Sequence, residues 1–383
     1  MPPKNKKKTA ASKFPMVSVC TPTFNRRPFI SFMFECFKHQ DYPMSRIEWI
    51  IVDDGTDKIK DLVDEANIPQ IKYFPIEEKM MLGKKRNFMH EKCSGSIIVY
   101  MDDDDYYPPE RISHAVETLK QNPDAMCVGS SILYIYFNHI HKMYQLGPYG
   151  PNHATAGTFA FRKGLLETSR YEDNAALAEE KHFLKDYTVP FVQLDPEKTI
   201  LVFSHIHNTF DKRNIIENIT AETAKFIKET KRRVCDFVKN DILRNFITNR
   251  IEPLLVKYDP GHPKHKPEAH KQLIELIEKQ QEIKRKHQEE HGPIIMEVEG
   301  KEPQTLTNNQ VRDILTSQNN QIKELHKMMT EMKKDNDNKR VELDTTKFVI
   351  ETRDNRIEEL EEELSVFRMK NISSSTADID PVD

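Results

Sequence analysis

Short apolar runs alternate with amphipathic stretches from Met16 to about Asp211, and this alternation restricts the fold more than any other feature of the chain. Apolar runs of about four to eight residues with β-branched side chains are typical of buried strands, and the stretches between them have helical spacing. A strand–helix–strand order of this kind predicts a mostly parallel sheet between layers of helices. We therefore expect an α/β, Rossmann-like fold here.

Three polar loops directly follow predicted strands of this sheet. They are TPTFNRR at residues 21–27, DDGTD at 53–57 and DDDDYYPP at 102–109. The carboxyl ends of parallel strands meet at one edge, and ligands of such sheets bind at that edge. The sequence therefore predicts a single site that is rich in carboxylates and arginines.

The third loop contains four consecutive aspartates, Asp102 to Asp105. Four carboxylates within about 14 Å of extended chain repel one another unless something screens or neutralises them. A solvated acidic turn, a calcium-binding loop and a metal–diphosphate site each account for such a run. A calcium loop needs a glycine at its turn, and DDDDYYPPERIS has none. A hard divalent cation is the simplest counter-charge at the end of a buried strand.

The composition excludes several classes of protein. No apolar run among the 383 residues approaches the roughly 20 that span a bilayer, and the basic N-terminus lacks the hydrophobic segment of a signal peptide. A net charge of −4 does not favour nucleic acid as a partner. The five cysteines lack metal-type spacing, so we expect reduced thiols and a cytoplasmic location.

Four motifs resemble one family when they are taken in order. TPTFNR follows the first strand, VDDGTD the second, GKKRNF opens a helix and MDDDDYYPP ends the fourth strand. This order is similar to that of family-2-like glycosyltransferases with the GT-A fold, over roughly residues 16–210. The resemblance implies a metal-dependent, inverting transfer of a sugar from a UDP- or GDP-linked donor to a hydroxyl group on a glycan or protein, with Mn²⁺ or Mg²⁺ as cofactor.

The resemblance also implies roles for residues of the first two loops. Pro22 and Thr23 would border the nucleotide base, and Asp53 or Asp54 would contact the base or ribose. Asn25 belongs to the same predicted nucleotide-sugar site. Thr23 and Asn25 have an alternative role, since either side chain would serve to cap the next helix.

Further predicted ligands of the nucleotide sugar come from later segments. Lys85 and Arg86 would lie near the base or the diphosphate, and Gly157 in HATAGTFAFRK would allow close approach of the backbone to the sugar.

Metal ligands are expected among the four aspartates and two late histidines. Asp102 and Asp104 form the Asp-x-Asp pair, with Asp104 the first choice as direct metal ligand. Asp103 is assigned to the nucleotide-sugar site. The pattern neither assigns nor excludes a role for Asp105. His205 and His207 follow a predicted strand at alternate positions, and GT-A enzymes often complete the metal shell with such a histidine. A histidine that merely bonds a neighbour at a strand end is the structural alternative.

The catalytic base is expected at a helix start beyond the aspartates. An inverting transfer needs a carboxylate that accepts the proton of the acceptor hydroxyl. The family supplies it from a Glu-Asp pair, and here Glu179 and Glu180 stand at the matching place, so that glutamate would replace aspartate at Glu180. Asp173, in the literal Glu-Asp of YEDN, is the competitor.

The last part of the chain has a different pattern. Residues 221–247 have apolar side chains at helical spacing and predict one amphipathic helix. From residue 308 a heptad pattern places apolar side chains at eleven of sixteen a and d positions, which predicts a coiled coil and a homo-oligomer. Asn336 at an a position favours a parallel, in-register dimer. A long helix that folds back on the same molecule is the alternative.

We expect the chain to be divided into five segments. They are a disordered basic tail over 1–14, a GT-A domain over 15–211, a helical extension with linkers over 212–300, a coiled coil over 308–370 and a disordered tail over 371–383.

Two functions of other classes stay open at this point. A nucleotidyltransferase also uses paired carboxylates with a metal, but it ordinarily has a glycine-rich stretch after the first strand, which TPTFNRRP lacks. A non-catalytic scaffold would use the coiled coil and retain the domain as a relic. The combination of a transferase domain with no membrane anchor resembles soluble glycosyltransferases of large DNA viruses.

Overall fold

The structure is a computed structural model that describes residues 14–177, 180–220, 223–291, 294–296 and 302–374. The chain divides into two units at Gln280. The strands of the first unit are β1 Val17–Thr23, β2 Ile47–Asp53, β3 Ile71–Pro75, β4 Ile97–Tyr100, β5 Cys127–Gly129, β6 Leu133–Phe137, β7 Lys142–Leu146, β8 Ala160–Arg162, β9 Phe191–Gln193, β10 Leu201–Ser204 and β11 Ile227–Thr230. The α-helices that begin in this unit are α1 Arg27–Lys38, α2 Lys60–Ala66, α3 Leu82–Lys92, α4 Arg111–Gln121, α5 Glu180–Phe183, α6 Arg213–Glu217, α7 Val234–Phe237, α8 Asp241–Asn245, α9 Ile251–Val256 and α10 Pro267–His291.

A seven-stranded sheet with the order β3-β2-β1-β4-β8-β5-β9 forms the centre of the first unit. Strands β1 to β4 pair in parallel, whereas β8 runs antiparallel to both of its neighbours. The predicted α/β, mostly parallel architecture is confirmed.

Helices cover both faces of this sheet, as the alternation of side chains along β2 illustrates. Trp49 belongs to the same apolar cluster as α1 and α4, and the ring of Phe37 stacks on it at 4.1 Å between centroids. Ile50 points to the opposite face and belongs to the cluster that contains Met89 of α3. Because both faces of the inner strands β2 and β4 are buried, these strands have apolar side chains at successive positions, whereas the edge strand β3 is partly exposed.

A second sheet with the order β10-β6-β7-β11 lies beside the first. Strand β10 runs parallel to β6, and its backbone meets the aspartate loop, since Tyr106 and Leu201 exchange backbone hydrogen bonds of 3.0 and 2.9 Å. Residues 191–204 thus contain two strands, β9 and β10, that belong to different sheets.

The amphipathic helix predicted over residues 221–247 is wrong. Residues 221 and 222 lie outside the described residues, and the following segment forms β11, which pairs antiparallel with the edge of β7. A new helix then begins after Asn240, whose Oδ1 accepts hydrogen bonds from the backbone N–H groups of Ile242 and Leu243. Pairing with a free sheet edge and a strong N-cap outweigh the helical spacing.

The second unit contains the short antiparallel pair β12 Ile294–Met296 and β13 Gln304–Leu306 and the 67-residue helix α11 Asn308–Ser374. The long helix agrees with the heptad region, while the coiled coil and the five segment bounds stay predictions. Residues 1–13 and 375–383, within the two predicted tails, lie outside the described residues. Among those that are described, no helix is long and apolar enough to cross a bilayer.

Candidate active site

Two of the three polar loops, those after β1 and β4, line one cavity on the carboxyl edge of the parallel strands, and the loop after β2 adjoins it through Asp54, which pairs with Lys85 of the cavity wall. Residues Thr23 of β1 and Asp53 of β2 are register partners, and β4 lies on the other side of β1, so the loops that leave these strands start side by side. The cavity measures about 150 Å³. Its walls consist of Pro22, Phe24, Arg26, Leu82, Lys85, Arg86, Asp102, Asp103, Asp104, Thr209 and Lys266.

Asp102 packs closely against Gly157. Its backbone N–H donates to the hydroxyl of Tyr107 at 2.7 Å, and that hydroxyl donates to the carbonyl of Gly157 at 3.2 Å. A Cβ atom at Gly157 would lie 2.7 Å from Oδ2 of Asp102. The small-residue loop predicted to line the pocket therefore leaves room for an aspartate carboxylate.

The guanidinium of Arg26 is a counter-charge for the next two aspartates. It lies 3.6 Å from Asp103 Oδ1 and 3.4 Å from Asp104 Oδ2, and both Arg26 and Asp103 are buried. Burial and the neighbouring Asp104 raise the pKa of Asp103 to about 7, against the opposing charge of Arg26. Burial also acts to raise the pKa of Asp104, but the hydrogen bond to His205 and the charge of Arg26 outweigh it and hold that pKa well below its usual value. Asp104 is therefore the ionised member of the pair.

His205 lies beside Asp104, as the sequence predicted for one of the two histidines. Its Nε2 is 3.2 Å from Asp104 Oδ2, and burial lowers the pKa of the ring to about 4 although Asp104 opposes the shift. The imidazole is therefore neutral at pH 7 and is in the form that ligates metals. The ring of His207 lies away from the aspartates, at 6.2 Å between centroids from Tyr258 and 6.1 Å from His262.

Asp105 serves the fold and not the cavity. Its Oδ1 accepts the backbone N–H of Phe203 at 3.1 Å, which connects the aspartate loop to β10. Burial and the charge of Asp104 raise the pKa of Asp105 well above its usual value.

The two aspartates that follow β2 have internal partners. Asp53 accepts the backbone N–H groups of Gly55 and Ile59 and the hydroxyl of Tyr73, so its carboxylate shapes the loop. Asp54 forms a buried ion pair with Lys85, whose ammonium also donates to the carbonyl of Thr23 at 3.2 Å. This pair connects α3 to the loops after β1 and β2, so that Lys85 reaches the cavity wall already neutralised.

Arg86 fills the space between the sheet and Asp102. Its guanidinium lies 4.5 Å from the centre of the Tyr100 ring, and one nitrogen is 3.9 Å from Asp102 Oδ1. Arg86 therefore lies beside Asp102 in the cavity wall, and its predicted place near the base or the diphosphate stays a prediction.

The capping role considered for Thr23 and Asn25 is wrong. Helix α1 starts after Arg26, and no side chain caps it. The backbone of Asn25 is left-handed, with φ 53°, and its side chain accepts the N–H of Asp57 at 2.9 Å and donates to the carbonyl of Pro260 at 2.9 Å. Asn25 therefore holds three loops together at the rim of the cavity.

The candidates for the base lie in different surroundings. Glu180 opens α5, and its Oε1 accepts the backbone N–H of Ala156 at 3.1 Å, next to the glycine that contacts Asp102. Asp173 is on the exposed rim, where Asn87 and Arg170 bond its carboxylate and lower its pKa. Glu179 lies outside the described residues. Helix α5 ends at Phe183, and the backbone turns left-handed from Lys185.

Comparison with known proteins agrees with this arrangement of loops. Residues 18–169 match the family model described as Glycosyl transferase family 2, and this range contains all three polar loops. The match covers 152 of the 383 residues, so the similarity to this family holds for this segment of the chain.

Relatives of the transferase domain carry out different transfers. The chain is 28% identical over 108 residues to the poly(ribitol-phosphate) beta-N-acetylglucosaminyltransferase TarS of Staphylococcus aureus, which covers 27% of the chain and 19% of TarS. It is 29% identical over 119 residues to the glucosyl-dolichyl phosphate glucuronosyltransferase of Haloferax volcanii, over 30% of the chain and 37% of the relative. The chain thus spans well under half the length of these two relatives.

A solved structure of similar topology is that of the mannosyltransferase PcManGT from Pyrobaculum calidifontis in complex with GDP-Man and Mn²⁺. Sequence identity is 18%, the TM-score is 0.41, and the alignment covers 50% of the chain and 57% of PcManGT.

Two cations that line the cavity, Arg26 and Lys266, were not assigned from the sequence. Arg26 belongs to the TPTFNRR motif. Its place in a loop that was expected to lie near the aspartates could have indicated that it contacts them. Lys266 is 240 residues further along the chain, outside the family match and outside the predicted domain, and no local pattern connects it to the aspartates.

The donor set in the cavity suits a divalent cation that binds together with phosphate. Within the part of the chain that the structure describes, no three His, Cys, Asp or Glu side chains are grouped as a ready metal centre. Asp102 and Asp104 nevertheless supply carboxylates to one cavity, and His205 has a neutral ring beside Asp104. Mg²⁺ is usually held by one or two carboxylates and by the phosphates of a substrate, and not by a complete protein cage.

Proposed function

We propose that the transferase domain moves a sugar from a UDP- or GDP-linked donor to a hydroxyl group of a glycan or protein acceptor, with inversion at the anomeric carbon. The observation that carries this proposal is a cavity lined by the loops after β1 and β4 of the segment that matches family 2, with carboxylates and cations on its walls. UDP-GlcNAc and GDP-mannose are the first donors to test, because TarS is an N-acetylglucosaminyltransferase and PcManGT binds GDP-Man.

Asp102 and Asp104 are the residues that would hold Mn²⁺ or Mg²⁺, and His205 is placed to join them. The ion supplies Lewis-acid stabilisation of the charge that develops on the departing diphosphate. His207 has no part in this proposal, because its ring lies beside Tyr258 and His262.

The cations of the cavity bind the diphosphate before the reaction. Arg86 and Arg26 lie on either side of the aspartate loop, and each can donate in a planar, two-pronged geometry that suits phosphate oxygens. Pro22 and Phe24 supply apolar wall for the base or ribose.

Glu180 accepts the proton of the acceptor hydroxyl as that oxygen attacks the anomeric carbon. Its carboxylate is bonded to Ala156 N–H, which fixes one oxygen and leaves the other to face the acceptor. Glu180→Gln preserves the accepting oxygen and removes the base, so it should keep donor binding and lose turnover.

Transfer and donor hydrolysis should be measured over a panel of UDP- and GDP-sugars with Mn²⁺. Wild type and Asp173→Asn should be active on the same donor, whereas Asp104→Ala and Glu180→Gln should each lose roughly 100-fold or more, which begins at the lower end of the range for a removed acid–base group. Equal activity in all four proteins would overturn both site assignments. No metal-dependent binding of any UDP- or GDP-sugar to wild type would contradict the transferase proposal itself.

A further inference from the structure

The segment from Tyr258 to Gln272, here called the strap, passes over the rim of the nucleotide cavity. The Tyr258 hydroxyl donates to Asp57 Oδ2 at 2.7 Å, and Lys79 Nζ donates to the carbonyl of His265 at 2.7 Å. At the far end, Ala176 N–H donates to the side chain of Gln272 at 2.8 Å. These contacts fix both ends of the strap to loops that border the cavity.

Close packing at Gly261 keeps the strap near the aspartates. A Cβ at Gly261 would lie 2.6 Å from the carbonyl oxygen of Asn25 and 2.8 Å from His207 Nδ1. The Gly261 carbonyl in turn accepts a hydrogen bond of 3.3 Å from Arg26, the residue that contacts Asp103 and Asp104. The position of the strap is therefore coupled directly to the acidic loop.

Lys266 is the side chain by which the strap enters the cavity. Its ammonium donates to the hydroxyl of Thr209 at 2.9 Å and lies 5.8 Å from the centre of the Phe24 ring. Burial and the nearby charge of Arg26 lower the pKa of Lys266, while Asp103 and Asp104 oppose that shift. The only hydrogen-bond acceptor recorded for the ammonium among the described residues is a neutral hydroxyl, so an anion in the cavity would stabilise its charged form.

We propose that Lys266 binds a phosphate oxygen of the nucleotide diphosphate, and that the strap completes the donor site from outside the family 2 segment. Lysine is a common phosphate ligand because it presents a compact positive charge with three donors. Of the other cations in the wall, Lys85 is already paired with Asp54, so Lys266 adds a charge that the first three loops do not provide. The inference rests on the proposed function.

The test compares affinities for UDP, GDP, uridine and guanosine by calorimetry with Mn²⁺, in the full chain. The variants are Lys266→Met, Lys266→Arg and the matched control Lys271→Met, which removes an exposed charge from the same strap. Loss of a charged hydrogen bond corresponds to roughly 10- to 100-fold in affinity. We expect that loss for the diphosphate with Lys266→Met, a much smaller loss with Lys266→Arg, and none with Lys271→Met.

The outcomes separate this inference from the proposed function. If wild type binds neither diphosphate, the proposed function fails and the inference fails with it. If wild type binds a diphosphate and Lys266→Met binds it equally well, only the inference is overturned. An equal loss for the diphosphate and its nucleoside, with a lower melting temperature, would make Lys266 a structural residue and would also overturn the inference.

A second, independent inference concerns α11, whose apolar side chains are exposed. The a and d positions Leu325, Met332, Leu343, Ile357 and Phe367 are each 47% or more exposed in the single chain. The charged side chains beside this stripe have an ordered pattern of sign. In a parallel, in-register pair, each g residue faces the e residue five positions later on the other helix. That geometry pairs Asp335 with Arg340, Glu342 with Lys347, Arg356 with Glu361 and Glu363 with Arg368, all of opposite sign.

We infer that α11 binds a second copy of this chain as a parallel, in-register dimer. None of the charged g and e residues from 335 to 368 meets a like charge in this arrangement, and Asn336 would pair with its own copy at an a position, which favours two strands. Lys339 at a d position contacts Asp335 of its own helix at 2.7 Å, which draws its ammonium away from the apolar stripe.

Two adjacent threonines provide a matched cross-linking test. Thr346 is at a d position and Thr345 at an outward c position, and both hydroxyls donate to the carbonyl four residues earlier. Mild oxidation should convert Thr346→Cys, but not Thr345→Cys, to a covalent dimer of twice the 44.9 kDa chain mass. Equal cross-linking of the two variants, or none in Thr346→Cys, would overturn the parallel register.

Charge exchange tests the partner. One variant carries Asp335→Lys with Glu342→Lys, and the other carries Arg340→Glu with Lys347→Glu. Each should sediment mostly as a monomer at a concentration where wild type is a dimer, and an equimolar mixture should recover the dimer. A mixture that stays monomeric would contradict pairing between two copies.

Discussion

Gly157→Ala should disable the candidate metal site while leaving the fold nearly intact. The added Cβ would lie 2.7 Å from Asp102 Oδ2, whereas ordinary contact begins at 3.4 Å, so the carboxylate must retreat by about 0.7 Å. A misplacement on the order of 1 Å can cost about 100-fold in rate. We therefore expect roughly a 10- to 100-fold loss of transfer activity and a comparable weakening of the Mn²⁺ response.

The stability cost of this substitution should be small. Overpacking of a core typically costs about 1–3 kcal/mol, and the low end applies because the displaced atom ends a side chain that is 25% exposed. The backbone of Gly157 is not left-handed, so alanine adds no conformational strain.

The assay is initial-rate transfer against Mn²⁺ concentration, with thermal unfolding measured on the same samples. Gly150→Ala is the matched control, because its Cβ would lie 3.8 Å from its nearest neighbour, His153. A Gly157→Ala enzyme with the activity and Mn²⁺ dependence of wild type would refute the assignment of Asp102 to the site.

Two further predictions concern stability. Burial, with the nearby charge of Arg86, lowers the pKa of His90 to about 3, so below pH 6.5 the unfolded chain takes up a proton that the folded chain does not. Stability is lost as the pH falls from 6.5 towards 3, by about 2 kcal/mol at pH 5. In urea unfolding at pH 7.5 and 5.0, His90→Gln should therefore lose about 2 kcal/mol less than wild type, and identical losses would contradict a lowered pKa of His90 in the folded chain. Lys85→Met should lower the free energy of unfolding by about 3–5 kcal/mol because it leaves Asp54 buried without its partner. The double variant Lys85→Met with Asp54→Asn should lose clearly less stability than the sum of the two single variants. Additive losses would show that the two side chains are not coupled.

The sheet and the position of the site were predictable because their causes are local in sequence. Strands β1 to β4 are continuous apolar runs, and each polar loop starts where such a run ends. Once the strands are parallel, their carboxyl ends must share an edge, so the aspartates at 102–105 and the loops at 21–27 and 53–57 had to meet.

The failures arose where distant backbone or side chains decide the structure. Residues 227–230 have helical spacing but pair with the edge of β7, a contact across about 80 residues. His205 and His207 were equivalent in the strand pattern, yet β10 ends at Ser204, so alternation no longer determines their directions.

The motifs also did not predict which side chains pair with one another. The resemblance placed Asp53 or Asp54, and Lys85, at the nucleotide, and these contacts stay predictions. The motif did not indicate that both carboxylate oxygens of Asp53 have internal donors or that Lys85 pairs with Asp54. Lys266 reaches the cavity only through the tertiary contacts of the strap.

The effect of Mn²⁺ on nucleotide binding tests the candidate metal site directly. Affinity for UDP and GDP should be measured with Mn²⁺ and with a chelator, for wild type, Asp104→Asn and the rim control Asp173→Asn. We predict that Mn²⁺ tightens binding of one nucleotide by roughly 10-fold or more in wild type and Asp173→Asn. A factor of about 10 is the affinity that one hydrogen bond to a charged group contributes. The enhancement should disappear in Asp104→Asn. An enhancement that survives in Asp104→Asn, or that is absent from wild type, would contradict a metal–diphosphate site at Asp104.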